Sequence, residues 1–292
     1  MTMFIQLVVT GLAMGCIYTL MSLGVNMIWS SMQVTNFANG QFVMVGAYMF
    51  GVLGFEYLKL PYWAAAVLSC LLGAILGVLT ARYIYNPLRH LPVSFALIGT
   101  VGLSIVLREA IRLSFGALSR TLPGFLAGTF NFQGVVISKA SILIILITVI
   151  LLVAQELFFR KTIYGKAMRA VAQDREAATL MGINVPRFIE ITVGYCGVLF
   201  ALAGILLVPI LSISTTMADT AAQKAFCAAI LGGFGNSVGA IIGGPIIGIL
   251  ENLFAGYVSG VWKNVVSFGI LILVLLVLPK GITGKADNTD RA

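Results

Sequence analysis

Charge is what this 292-residue chain has least of: Asp, Glu, Lys and Arg make up 10% of it, against roughly 25% in an ordinary soluble domain. A globule of this size could not hide 60% hydrophobic residues and still show water a polar exterior. That excludes a water-soluble enzyme or regulator. Histidine is nearly absent, with His90 alone, which argues against a His-ligated metal or a Ser-His relay. The four cysteines, Cys16, Cys70, Cys196 and Cys227, lie singly in apolar stretches with no C-x-x-C pair. They read as small hydrophobes, with no disulfide framework and no metal site. The phosphate loop G-x-x-x-x-G-K-[ST] is missing too, because Gly284-Lys285 is followed by Ala286. No bound nucleotide or other cofactor is expected on this chain. A net charge of +8 would suggest nucleic acid in a soluble protein. Beside a mean hydropathy of +1.04 it instead reflects cytoplasmic loops and anionic lipid, with no nucleic-acid partner.

What is present is apolar length. Continuous runs such as 141–153, SILIILITVILLV, exclude a transmembrane β-barrel, whose strands alternate apolar and polar residues. The fold class is therefore an all-α integral membrane protein, a polytopic helical bundle of about 8–9 membrane segments forming one transmembrane domain over residues 1–292. Nine spans at about 20 residues each use roughly 180 residues and leave about 110 for loops, too few for a separate ATPase or ligand-binding domain. The segments read at about 4–23, 37–55, 62–83, 93–113, 139–159 and 188–210, then a Gly-rich pair within 222–256, crossing or re-entrant, and then 261–279. The N-terminus lacks the basic stretch of a signal peptide, so its apolar run reads as the first span. Basic residues collect at 160–175 and at Arg187; placing that loop inside also puts Arg82, Arg89, Lys280, Lys285 and Arg291 in the cytoplasm, which sets the N-terminus outside and the C-terminus inside.

Small residues recur at four-residue spacing: Gly11 and Gly15, Gly73 and Gly77, Gly239 and Gly243, Gly244 and Gly248. Such pairs let helix backbones approach closely in lipid. Two stretches interrupt the apolar pattern, 35–41 (TNFANGQ) and 231–237 (LGGFGNS). Both set amides and glycine beside the bilayer, where non-helical backbone survives only if buried in protein or lining a wet cavity; interfacial turns are the alternative. Arg108, Glu109 and Arg112 fall late in the fourth segment and read as a solvated outer rim or a docking site for an external partner. Glu251 and Asn252 read the same way. No relay of carboxylates crosses the middle of the bilayer, which disfavours a proton-coupled carrier.

Residues 160–187 (RKTIYGKAMRAVAQDREAATLMGINVPR) are the one long polar stretch with helical character. Good helix formers predict one helix from about Gly165 to Met181. Lys166, Arg169, Gln173 and Glu176 would form its polar face, and Met168, Val171, Ala178 and Met181 its apolar face. Gly182 suits a left-handed end and Pro186 forbids continuation. Mixed charge and small alanines suit docking into a protein groove.

Glu176-Ala177-Ala178 followed by Gly182 resembles the E-A-A-x-x-x-G loop of ABC importer permeases. The wider string GKAMRAVAQDREAATLMGI, with NFANGQFVMVGAY (36–48), AFCAAILGGFGNSVGAIIGG (225–244) and LPKGITG (278–284), resembles the permeases for branched-chain amino acids, in the family's order over nearly the whole chain. The general motif continues into I-x-L-P, where this chain has Pro186 and Ile191-Thr192. The resemblance implies a non-catalytic permease subunit in a bacterial cytoplasmic membrane. Its partners would be two ABC ATPase subunits that supply ATP and Mg chemistry, a second related permease and a soluble binding protein. Residues 160–187 would form the coupling loop. Arg169, Asp174 and Glu176 would make polar contacts to the ATPases, Ala177 and Ala178 would complete the motif, and Gly165 and Gly182 would set the helix ends. The translocation pathway would run past Asn36, Asn39, Gly40, Gly232, Gly233, Gly235 and Asn236. Branched-chain amino acids are the implied cargo. Urea, short amides or aromatic acids through the same architecture, and a gradient-driven carrier or channel, stay open as alternatives.

Overall fold

A computed structural model describes residues 2–122, 126, 128–132, 135–260, 263–278 and 281–283. The chain is mostly helical: α1 (Thr2–Met32), α2 (Asn39–Tyr48), α3 (Tyr62–Thr80), α4 (Asn86–Leu88), α5 (Val93–Phe115), α6 (Lys139–Lys161), α7 (Ile163–Gln173), α8 (Arg175–Leu180), α9 (Val185–Leu207), α10 (Met217–Gly232), α11 (Ser237–Tyr257) and α12 (Lys263–Val277). A π-helix over Met49–Tyr57 prolongs α2, and a π-turn over Ala81–Tyr85 joins α3 to α4. Six of these helical stretches are long and apolar enough to cross a membrane: Thr2–Met32, Tyr62–Leu88, Val93–Phe115, Lys139–Lys161, Val185–Leu207 and Ser237–Tyr257. The first runs nine residues beyond its expected end at 23, because its polar residues Asn26, Ser30 and Ser31 donate to the carbonyls of Asn236, Gly235 and Met27 instead of ending it. Among the described residues the all-helical expectation is departed from by an antiparallel hairpin of β1 (Thr129–Phe132) and β2 (Val135–Ser138). Its alternating short run was too brief to separate from loop by pattern. Lys280, Lys285 and Arg291, assigned above to the cytoplasmic side, lie outside the described residues, as do parts of the 278–284 string.

The glycine pairs explain how a bundle without a hydrophobic force between helices is held. A Cβ on Gly11 would lie 2.8 Å from the Gly248 carbonyl, and one on Gly15 would lie 2.6 Å from Pro245 Cα. These contacts set α1 antiparallel on α11. Gly73 meets Gly197 and Ala201, and Gly77 meets Val193 and Gly194, so α3 lies antiparallel on α9. Gly239 abuts Gly232 and Gly243 abuts Ala228, which folds α11 back along α10. Gly46 against Ala201 and Gly204 against Val43 bring α2 onto α9. The expected tight packing is what the structure shows. Large side chains fill the remaining volume: Tyr18, Phe42, Tyr48, Phe50 and Phe200 are fully buried among α1, α2 and α9.

The helix expected over 165–181 is two helices. Asp174 leaves the helical conformation (φ −155°, ψ 112°) and its Oδ1 accepts from the Glu176 and Ala177 amides at 2.9 and 3.0 Å. It thus caps α8, as short acceptor side chains do at helix starts. Helix formers on both sides hid this stop. Gly182 does end α8 with φ +80°, and its neighbour Ile183 donates to the Ala178 carbonyl, the closing bond of a glycine-ended helix. Pro186 then stands in the first turn of α9.

Candidate functional site

Among the described residues, Glu251 and Arg108 each form an ion pair with a residue of α10, a partnership the sequence did not indicate. Glu251 is fully buried. It accepts from Lys224 Nζ at 2.7 Å and from Tyr18 Oη at 3.2 Å, tying α11 to α10 and α1. This corrects its reading as a rim residue. Its partners are 27 and 233 residues away in sequence, and no local pattern joins them. Arg108 on α5 also has a partner far away in sequence. Its Nη2 donates to both oxygens of Asp219, at 2.7 and 2.8 Å, with the two side chains 38% and 33% exposed. Asp219 stands in the first turn of α10, where the helix dipole favours a negative charge. Glu109 and Arg112 pair with each other at 3.5 Å on the exposed side of α5.

The Arg108–Asp219 pair closes one wall of a cavity of about 430 Å³, open on one side, between the 35–41 stretch, α5, α10 and α12. Asn36, Asn39, Gly40, Gln41, Phe226, Phe268 and Leu271 complete much of its lining. Locally, the sequence forces this shape. After α1 the chain cannot continue helically through Gln33, whose φ is +53°. Asn36 Oδ1 accepts from the Ala38 amide at 2.9 Å in a side-chain turn, and Phe37 donates to Thr100 Oγ1 on α5 at 3.3 Å. Helix α2 then starts inside the bundle with no side-chain cap. Gly40 allows its first turn to press on α10, where a Cβ would lie 3.0 Å from the Ala222 Cβ. Gln41 donates to Asp219 Oδ1 at 3.1 Å. Four buried polar atoms of these lining residues have no partner among the described residues: Asn36 Nδ2, Asn39 Oδ1, Gln41 Oε1 and Arg108 Nε.

The second interrupted stretch sits elsewhere. Gly235 and Asn236 line a different cavity, of about 510 Å³, with Ser30, Gln155, Arg169 and Gln173; the two cavities share no lining residue. Here the polar groups are paired. Asn236 Oδ1 accepts from Val238 N at 3.0 Å, capping α11. Its Nδ2 donates to the carbonyl and hydroxyl of Thr283 at 3.1 and 3.0 Å, and its backbone carbonyl accepts from Asn26 at 3.1 Å. Gly232 packs on Gly239, and Gly233 lies against Gly281. Gly235, at φ +81°, accepts from Ser30 Oγ at 3.1 Å.

Around α7 and α8, Gly165, Met168, Val171 and Ala178 are buried. A Cβ on Gly165 would lie 2.5 Å from the Phe158 carbonyl, so this glycine serves close packing on the end of α6. Met181, assigned above to the apolar face, stands past the last residue of α8 and is 82% exposed beside Leu180 at 88%. Arg169, Asp174, Glu176 and Ala177 are exposed. Arg175 is partly buried with Nη2 unpartnered, and burial lowers its pKa from the usual arginine value.

Residues 7–275 match the family described as branched-chain amino acid transport system / permease component. The chain is 34% identical to the high-affinity branched-chain amino acid transport system permease protein BraD of Pseudomonas aeruginosa, over 97% of both chains. It is 34% identical to the permease protein LivH of that system in Escherichia coli, over 97% of this chain and 96% of that one. It is 31% identical to the probable branched-chain amino acid transport permease protein LivH of Methanocaldococcus jannaschii, over 91% and 88%. No solved structure matches the chain.

Proposed function

The chain belongs to the branched-chain amino acid transport permease family, and from that premise we propose that it is the membrane-spanning, non-catalytic subunit of an ATP-driven ABC importer that passes branched-chain amino acids. The observation that carries this reading is the half-open polar cavity walled by Asn36, Asn39, Gln41, Arg108 and Asp219 inside an otherwise apolar bundle. Charged and amide groups at that depth cannot face hydrocarbon; they belong on a water-filled path. We assign the translocation pathway to this cavity, past Asn36, Asn39 and Gly40. Gly232, Gly233, Gly235 and Asn236 serve as the tie that holds α10, α11 and the 281–283 segment at the other end of the bundle. The open side of the first cavity is covered by the second permease subunit.

Nine passes account for the topology: the six long helices, α2 with its π-helical extension, α10 and α12. The antiparallel pairs α1/α11, α3/α9 and α10/α11 agree with that alternation; the odd count sets the termini on opposite faces, and the basic 160–175 loop, taken as cytoplasmic, sets the N-terminus outside and the C-terminus in the cytoplasm of a bacterial inner membrane. Helices α7 and α8 form the coupling element on which two ATPase subunits dock, with Arg169, Glu176 and Ala177 exposed towards them and Asp174 and Gly182 fixing the shape of α8. ATP closure of those subunits shifts the bundle between its inward- and outward-open states. A soluble binding protein delivers cargo at the opposite face.

Tagging the chain in its native membrane and identifying what co-purifies after gentle solubilisation tests this. The expected result is a P-loop ATPase pair and a second, related permease, with Glu176→Lys losing the ATPases while the bundle still inserts. Recovery of copies of this chain alone, with uptake persisting after ATP depletion, would contradict it.

A further inference from the structure

The residues lining the cavity carry four buried hydrogen-bonding atoms that have no partner among the described residues, two donors and two acceptors. The bond from Ala38 to Asn36 Oδ1 fixes that amide so that Nδ2 is the free donor. The bond from Gln41 Nε2 to Asp219 fixes the other so that Oε1 is the free acceptor. Arg108 spends Nη2 on Asp219 and keeps Nε unpartnered, and Asn39 Oδ1 is the second free acceptor. Asn36, Asn39 and Gln41 are all more than nine-tenths buried. A buried polar atom left without a partner is costly, so four on the residues of one cavity call for an occupant. Formally the wall is neutral, since Arg108 and Asp219 cancel. Across the space stand Phe226, Phe268 and Leu271. The volume of about 430 Å³ suits a small ligand, for which sites run at about 300–1,000 Å³.

A ligand that needs donors at one end, acceptors beside them, no net charge and an apolar remainder is an α-amino acid zwitterion. We propose that Asn36, Asn39, Gln41 and the Arg108–Asp219 pair form a recognition site within the permease itself, reading the α-carboxylate and α-ammonium of the passing amino acid. The carboxylate takes hydrogens from Asn36 Nδ2 and Arg108 Nε. The ammonium gives hydrogens to Gln41 Oε1, Asn39 Oδ1 and the flank of Asp219, and the side chain lies towards Phe226, Phe268 and Leu271. The uncapped start of α2 adds its positive dipole end near the carboxylate. This inference rests on the importer reading and adds a filter: the permease checks main-chain groups after the binding protein has released its cargo, and does not depend on side-chain shape.

The test uses the assembled transporter in nanodiscs, without binding protein. Competition against radiolabelled leucine is measured for leucine itself, 3-methylbutylamine (no carboxylate), 4-methylpentanoate (no ammonium) and urea. Leucine is expected to compete at least tenfold better than any of the three, and Gln41→Leu and Arg108→Gln are each expected to erase most of that preference. Gln41→Leu leaves the Arg108–Asp219 pair in place, so it stays informative if Arg108→Gln fails to assemble. No leucine binding up to about 10 mM, or equal competition by the amine, the acid or urea, would overturn the site. The same preparation in proteoliposomes with binding protein and ATP separates the two claims. Leucine uptake without this selectivity sinks the recognition site alone, whereas no ATP-dependent amino-acid uptake sinks the importer reading with it.

Discussion

Residues 33–38 and residues 233–236 both break the helical pattern with asparagine and glycine in reach, yet their polar atoms end differently. Around 233–236 almost everything is paired: Asn236 alone caps α11, holds Thr283 and accepts from Asn26. Around 33–41, by contrast, three buried amide atoms, and Arg108 Nε beside them, have no partner among the described residues. Since buried polar groups in native proteins are nearly always bonded, the paired stretch reads as a fastening, and the unpaired one is where we propose an occupant. Composition alone cannot tell them apart; satisfaction of hydrogen bonds can.

If pairing marks structure, the most buried paired group should cost most. Glu251→Leu, which removes the carboxylate paired with buried Lys224, is expected to destabilise by about 3–5 kcal/mol, read as a large fall in melting temperature of the detergent-solubilised complex. Glu251→Leu combined with Lys224→Leu should recover most of it, since removing both charges spares the unpaired one. Next comes Asn236→Ala, which loses a helix cap and the amide bonds to Thr283 and should cost about 2 kcal/mol by the same assay. Gly235→Val forces a β-branched residue to φ +81° and should cost about 1–2 kcal/mol. At the small end, Gln41→Leu on the open wall should change stability by less than about 1 kcal/mol, because Asp219 keeps its bonds to Arg108.

The glycine spacing and the Gly182 stop were legible because their causes are local: small residues four apart, and a residue free to turn left-handed. Asn36 and Asn39 could be singled out for the same reason, as amides where apolar residues were due. The rest of the site was not legible, since Arg108 and Asp219 are 111 residues apart and Gln41 and Asp219 are 178 apart. Only the folding of α2 and α5 against α10 brings them together. The break at Asp174 escaped for another reason: strong helix formers on either side outweighed a single aspartate whose capping role shows only in its backbone angles.

The decisive measurement is ATP-driven leucine uptake into proteoliposomes, with binding protein present, for Gln41→Leu and Asn236→Ala side by side and normalised to assembled complex. The account predicts that Gln41→Leu melts close to the parent yet loses uptake about tenfold or more, while Asn236→Ala melts lower yet keeps uptake within about twofold per complex. Full uptake through Gln41→Leu together with dead but well-folded Asn236→Ala would contradict it, and would move the pathway to the other end of the bundle.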